Sequence, residues 1–134
     1  MLIRIATTQS EVEACFPVIS TLRPHLDAGA FAALVNRLSE TTGLQLAYLD
    51  DAGIQCVAGF RISEWLAGGR YLEIEDLASS VKSKGYGGQL FDWLIGLARS
   101  ESCDHVRLVS RLHRTDAHRF YERKGMVKEA YYFS

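Results

Sequence analysis

The chain lacks what would mark a nucleic-acid binder, a disulfide-stapled module or a membrane span. Its 15 basic and 16 acidic residues leave a formal net charge of -1, so there is no basic excess to meet a phosphate backbone, and no nucleic-acid partner is expected. Cys15, Cys56 and Cys103 are odd in number and widely spaced, with no C-x-x-C. That pattern supports neither a disulfide framework nor a zinc site, and it fits a reduced, cytoplasmic setting. No apolar run approaches the roughly 20 residues that a spanning helix needs, and the opening MLIRIATTQSEVE has no apolar leader core, so no membrane partner is expected. Histidines are few and scattered. His113 and His118 are five apart, which does not stack on a helix face, and His25 and His105 lie elsewhere; no metal is expected. Repeats, linkers and low-complexity segments are absent as well, so the 134 residues read as one domain over 1–134.

What is present is an ordinary globular share of apolar residues, 48%, arranged in alternating periods. Leu2 to Ala6 alternates as a strand, and Thr8-Gln9-Ser10-Glu11 fits a capping box that opens a helix with Val12, Cys15, Phe16 and Ile19 on one face. Pro24 ends it. A second helix begins after Asp27, placing Phe31, Leu34, Val35 and Leu38 together, and stops near Thr42-Gly43. Leu44 to Leu49 and Ile54 to Ile62 form a hairpin around Asp50-Asp51-Ala52-Gly53, and Ser63 to Gly69 connects it to a strand over Arg70 to Ser79. An apolar helix over Gln89 to Leu97, a strand over Val106 to Ser110, a short helix capped by Thr115-Asp116 and ending at Arg123-Lys124-Gly125, and a closing strand over Met126 to Phe133 complete the chain. The expected order is β-α-α-β-β-β-α-β-α-β, an α/β fold with a mixed sheet flanked by helices.

The most informative stretch is Lys82-Ser83-Lys84-Gly85-Tyr86-Gly87-Gly88, between an acid-bearing strand and an apolar helix. Its glycines permit positive φ and leave the amides uncovered, and the helix beyond adds unpaired N–H groups and the positive end of its dipole. A diphosphate is the natural guest. The dinucleotide fingerprint fails, because counting from Gly85 its third glycine falls on Leu90. The triphosphate loop fails too, because no Gly-Lys pair occurs in the chain. What remains is Q/R-x-x-G-x-G/A, met by Lys82-x-x-Gly85-x-Gly87 with lysine in place of arginine.

That pattern resembles the pyrophosphate loop of the GNAT superfamily of acetyl-CoA-dependent N-acetyltransferases. Glu75-Asp76-Leu77 before the loop is similar to the E/D-D-L/F segment of many small-amine members. Ala117 to Met126, AHRFYERKGM, is similar to the family's A-x-x-F-Y-x-x-x-G-F. The resemblance implies acetyl-CoA as cosubstrate, held by the backbone of Leu77, Ala78 and Ser79 along its pantetheine arm and by Lys82, Ser83, Lys84, Gly85, Tyr86, Gly87 and Gly88 at its pyrophosphate, with Arg111 or Arg114 as candidates for the 3′-phosphate unless they are plain solvated surface. It implies Tyr121 as the acid that protonates the departing thiolate, and Glu75 as the proton acceptor, acting through water. Asp76 faces the other side of a regular strand, but a bulge would change that; Glu73 is a third candidate. The implied acceptor is an amine on a small molecule or an exposed peptide or protein amine, its specificity set by residues 22 to 30, the 63 to 69 connection and the chain end. A homodimer is left open. The rival reading is a non-catalytic acyl-CoA-binding or regulatory domain of the same fold. It draws on a short segment between Leu77 and Lys82 and on Arg114 where the family often has Asn.

Overall fold

The computed structural model describes residues 1–80 and 84–134. Five strands form one sheet in the order β1 (Leu2–Ile5), β2 (Gln45–Asp50), β3 (Ile54–Trp65), β4 (Gly69–Ser79) and β5 (His105–Leu108). The first four pair antiparallel and β4 pairs with β5 in parallel, a pairing that needs the long crossover supplied by the helix between them. Four helices flank the sheet: α1 (Gln9–Leu22), α2 (Phe31–Thr42), α3 (Tyr86–Ser100) and α4 (Thr115–Arg123).

Side-chain alternation along the strands divides the core in two. Leu46, Tyr48, Val57 and Ala78 face α1 and α2, where they meet Cys15, Val18, Ile19, Phe31 and Val35. Ala47, Leu49, Cys56, Ala58, Phe60, Leu72 and Ile74 face the other way and bury against Leu90, Phe91, Leu94 and Ala98 of α3. A wholly buried ring such as Phe60 is worth about 3–5 kcal/mol against alanine, a large share of the marginal stability of one domain.

Helix boundaries follow the expected stop and start chemistry. Thr8 Oγ1 accepts from the Glu11 amide at 3.1 Å while Glu11 Oε1 accepts from the Thr8 amide at 3.3 Å, completing the capping box. Asp27 caps a single 3-10 turn over Ala28–Ala30 that leads into α2. Gly43 ends α2 in the left-handed region at φ 79°. At the end of α4, Gly125 donates to the Glu122 carbonyl and Met126 to that of Tyr121, both at 3.0 Å, the paired bonds of a Schellman stop.

Three expectations are corrected. Thr115 and Asp116 lie inside the first turn of α4, and Arg114 occupies the cap without a side-chain bond. Helix α3 starts at Tyr86, so Gly87 and Gly88 are helical; Gly85 alone in that run has positive φ, 78°. The closing strand over Met126 to Phe133 does not form, and α4 is the last regular element. Its aromatic run has strand propensity, but a strand needs a partner edge and a face to bury. Only Met126 packs on the core, and Tyr131 and Phe133 are each 89% exposed.

Glu11 also accepts from Tyr48 Oη at 2.6 Å, tying α1 to β2. That bond, with the Thr7 and Thr8 contacts, lowers the Glu11 carboxyl from its ordinary 4.5 to about 2. Its contribution to stability is therefore complete above pH 4.5 and lost as pH falls toward 2. Glu11→Gln should melt below the wild type at pH 7, and the gap in Tm should close between pH 4.5 and pH 2; thermal melts by circular dichroism across that range check it.

Candidate active site

The site is built where β4 breaks its own alternation. Gly59 pairs with Asp76 and Phe60 with Ile74, leaving Glu75 as the extra residue of a β-bulge. Leu72 and Ile74 thus face α3, while Asp76 and Ala78 face α1 and α2. On a regular strand, residues two apart would all share a face. The bulge brings Glu73, Glu75 and Asp76 to one side, where each meets an arginine. Arg23 Nε lies 2.6 Å from Asp76 Oδ1, and its Nη2 donates to the Glu75 carbonyl at 3.4 Å. Arg61 Nε lies 2.9 Å from Glu75 Oε1, a charge contact rather than an aligned hydrogen bond. Glu73 joins Arg61 at 3.6 Å and Arg107 at 2.7 Å. Arg107 is itself fixed, its guanidinium 3.8 Å from the Tyr71 ring centre and 4.2 Å from that of Trp65.

Beside the bulge the sheet opens. The β4–β5 pairing runs from Tyr71 opposite His105 to Ile74 opposite Leu108 and ends there, while β4 continues to Ser79 against β3 alone. The edge of β4 from residue 75 to 79 faces a gap. At the far end of that gap stands the N-terminus of α3, with Gly85 at its cap and no side chain closing it. Tyr86 Oη donates to Asp51 Oδ2 at 2.7 Å, anchoring this end of the helix to the β2–β3 turn. The Cβ directions of Gly85 and Gly87 are open to at least 3.7 Å, whereas that of Gly88 would come within 3.3 Å of Lys124 Nζ. Lys124 is held there by Asp92 at 3.0 Å. Past the end of β5, the buried Ser110 Oγ has no hydrogen-bond partner among the described residues.

Tyr121 sits on α4, its ring packed against Phe91 and Phe120 at 6.2 and 5.3 Å. Burial raises its phenol above the ordinary range, the Arg114 charge offsets part of that, and the negative charge of Asp76 adds to it. Asp76 faces α1 and α2 while Tyr121 packs on the α3 side of the sheet. Glu75 is also raised, by burial first and then by the charges of Glu73 and Asp76, with Arg61 opposing.

Glu75 and Asp76 thus share one bulge, and Tyr121 lies on α4 where the charge of Asp76 acts on it. Leu77, Ala78 and Ser79 lie on β4 past its last pair with β5, and Lys84 and Gly85 precede the first turn of α3, which holds Tyr86, Gly87 and Gly88. The expected roles of Lys82 and Ser83 fall outside the described residues. No group of three or more metal-ligating side chains occurs among the described residues, and no helix among them is long and apolar enough to cross a membrane. Sequence reasoning missed Arg23, Arg61 and Arg107. The last two carried a signal, each being a lone charge inside an apolar strand stretch, at positions that lie beside acid-bearing β4.

This is the setting in which the comparisons with known proteins fall. The model of the Acetyltransferase (GNAT) family matches residues 7–126. The chain belongs to that family. It is 31% identical over 131 residues to the uncharacterized N-acetyltransferase YhdJ of Bacillus subtilis (strain 168), covering 95% of this chain and 92% of that one. The structure resembles a putative acetyltransferase from Agrobacterium tumefaciens str. C58, with a TM-score of 0.84 at 21% identity over 100% of this chain and 98% of that one. It also resembles aminoglycoside N-acetyltransferase AAC(6')-Iy in complex with CoA, with a TM-score of 0.81 at 15% identity over 99% and 93% of the two chains. Acetyl transfer is the general chemistry of this GNAT domain.

The opposing influence of Arg61 on Glu75 can be isolated. Arg61→Met removes the charge that lowers the Glu75 carboxyl and leaves burial, Glu73 and Asp76 in place. The Glu75 titration, followed by carboxyl carbon NMR, should move further upward; a downward move would assign its environment to other groups.

Proposed function

We propose that the protein transfers the acetyl group of acetyl-CoA to an amine of a small molecule or to an exposed peptide or protein amine. What carries the reading is a pair of carboxylates at the bulge of β4 together with a half-buried phenol on α4 on which the charge of Asp76 acts. The gap suits the cosubstrate. A pantetheine arm is peptide-like and pairs as an added strand with the free edge of Leu77, Ala78 and Ser79. The unblocked amides of Gly85 to Gly88 and the dipole of α3 favour a pyrophosphate, with Lys84 and, by sequence, Lys82 and Ser83 beside it. The orphaned hydroxyl of Ser110 is a polar group that a ligand in this region would satisfy. The fold neighbour in complex with CoA supports the same cosubstrate.

The chemistry divides between the two raised groups. A neutral amine attacks the thioester carbonyl carbon, and the C–N bond forms as the carbonyl becomes an oxyanion. Glu75 takes the nitrogen's proton through water; burial raises its affinity for protons, which suits a base of that kind. Asp76, bonded to Arg23, serves chiefly to hold the bulge and the mouth of the site. The carbonyl re-forms, the C–S bond breaks, and Tyr121 donates its proton to the sulfur, so that CoA leaves as the thiol. A phenol kept above its ordinary range stays protonated at neutral pH, which suits an acid of that kind.

Two substitutions separate binding from turnover. Gly87→Val places a branched side chain at the first turn of α3 and should weaken CoA binding by at least about tenfold in calorimetry, about 1.4 kcal/mol; unchanged affinity in a folded protein would sink the pyrophosphate assignment. Tyr121→Phe keeps the ring that packs on Phe91 and Phe120. It should lower kcat by roughly 10²-fold while CoA affinity holds. A wild-type protein that binds acetyl-CoA yet acetylates no amine across a broad panel would favour the binding-domain reading instead.

A further inference from the structure

A cavity of about 180 Å³ opens between α1, α2 and the sheet. Its wall is apolar, formed by Ile19, Phe31, Leu34, Leu38, Leu44 and Leu46 among others, and its polar members are Arg23, His25 and Asp76. Arg23 is bonded to Asp76, so the polar part of the lining adjoins the acids of the bulge. An apolar cavity of about 150 Å³ accepts benzene, so this one accommodates a single ring or a short branched chain. Gly59 makes the junction between cavity and acids. A Cβ there would stand 3.0 Å from Asp76 Oδ2 and 3.6 Å from Leu44 Cδ1, so a side chain at 59 would press on both the carboxylate and the apolar wall beside it.

We infer that this cavity is the acceptor site and that the acceptor is a small primary amine bearing one ring-sized apolar group. Seating the apolar group against the leucines leaves the amine at the polar lining, where Asp76 takes its ammonium as a hydrogen-bond donor and Glu75, the adjacent residue, faces the same side. Nothing in the wall satisfies a second or third cationic group, so polyamines and aminoglycosides fit poorly. Of the stretches expected to set specificity, residues 22 to 30 supply Arg23, His25 and Leu26; the 63 to 69 connection is largely absorbed into the β3–β4 hairpin and does not reach the cavity. The transfer step rests on the acetyltransferase reading, but occupancy of the cavity does not.

The test uses the full chain without CoA, titrated by NMR with 2-phenylethylamine, ethanolamine and spermidine. 2-Phenylethylamine should bind at least roughly tenfold more tightly than either of the others, the difference expected from burying its ring, and should shift the amides of Phe31, Val35 and Leu46. Leu38→Phe, at a half-buried position of the wall, should abolish that preference; Leu34→Phe serves if the first variant does not fold. Equal affinity for ethanolamine or spermidine, or a folded wall variant that binds 2-phenylethylamine as the wild type does, overturns the inference. Adding acetyl-CoA distinguishes the two claims. Binding in the cavity without acetylation leaves the acceptor pocket standing and removes the transfer reading. Acetylation of spermidine at a rate indifferent to Leu38→Phe does the reverse.

Discussion

The bulge at Glu75 is the constraint on which the rest of the site depends. A period-2 strand that kept its register through this point would turn Asp76 toward α3, among Leu90, Phe91 and Leu94. An ionised carboxylate buried there would cost several kcal/mol after relaxation. The bulge holds because both sides of the sheet are packed against it. Phe60 and Ile74 lock the register before it in one core, and Val57 with Ala78 lock the register after it in the other. Slipping either segment by one residue would turn every side chain along it to the opposite face of the sheet, misfitting both cores. The bulge is thus enforced by apolar burial at a distance, and its product is a row of three acids on one face.

The second consequence of the same strand is the gap. A parallel partner must return through a crossover helix, and here α3 begins only after β4 has run five residues past its last pair with β5. Past the bulged Glu75, residues 76 to 79 remain paired with β3 on one edge and have no β5 partner on the other. The first turn of α3 has no side-chain cap, so its N–H groups are left without intrahelical partners. In the proposed reaction, an acceptor on the α1 and α2 face and an acid on the α4 face address one carbonyl through that interruption of the sheet.

How far the sequence revealed this depends on whether the cause was local. Capping chemistry at Thr8 and Glu11, the turn at Asp50 to Gly53, the glycine stop at residue 43 and the helical stripes were all local, and the structure places them where they were expected, within one to three residues. The glycine run was visible in the sequence, but which glycine bends and which merely leaves space depends on where α3 begins. Tyr86 takes part in setting that point by reaching Asp51, 35 residues earlier, a partner no periodicity reveals. The bulge was visible only as an alternative, because its register is set by the cross-strand neighbours Gly59 and Phe60. The closing strand was misread for the converse reason. Val127, Tyr131, Tyr132 and Phe133 have the composition of a strand, and composition says nothing about whether an edge is available to receive one.

The arginines missed in the sequence explain why three adjacent acids are not interchangeable. Each carboxylate of the row has a guanidinium beside it, but the partners differ in how firmly they are held. Arg107 is clamped between Trp65 and Tyr71 and gives its short contact to Glu73, which also meets Arg61. Arg23 gives its short contact to Asp76. Glu75 is left with Arg61, which it shares, and with the negative charges of both neighbours acting on it. Burial, Glu73 and Asp76 together outweigh the one shared cation, so the middle acid is pushed toward higher proton affinity while its flanks are tied into structure. Across the gap, burial acts on Tyr121 in the same direction with the opposite chemical effect, since a raised carboxylate is the better proton acceptor and a raised phenol retains the proton it has to give. One physical cause, loss of water around both groups, thereby raises the proton affinity of a carboxylate on one face of the sheet and of a phenol on the other.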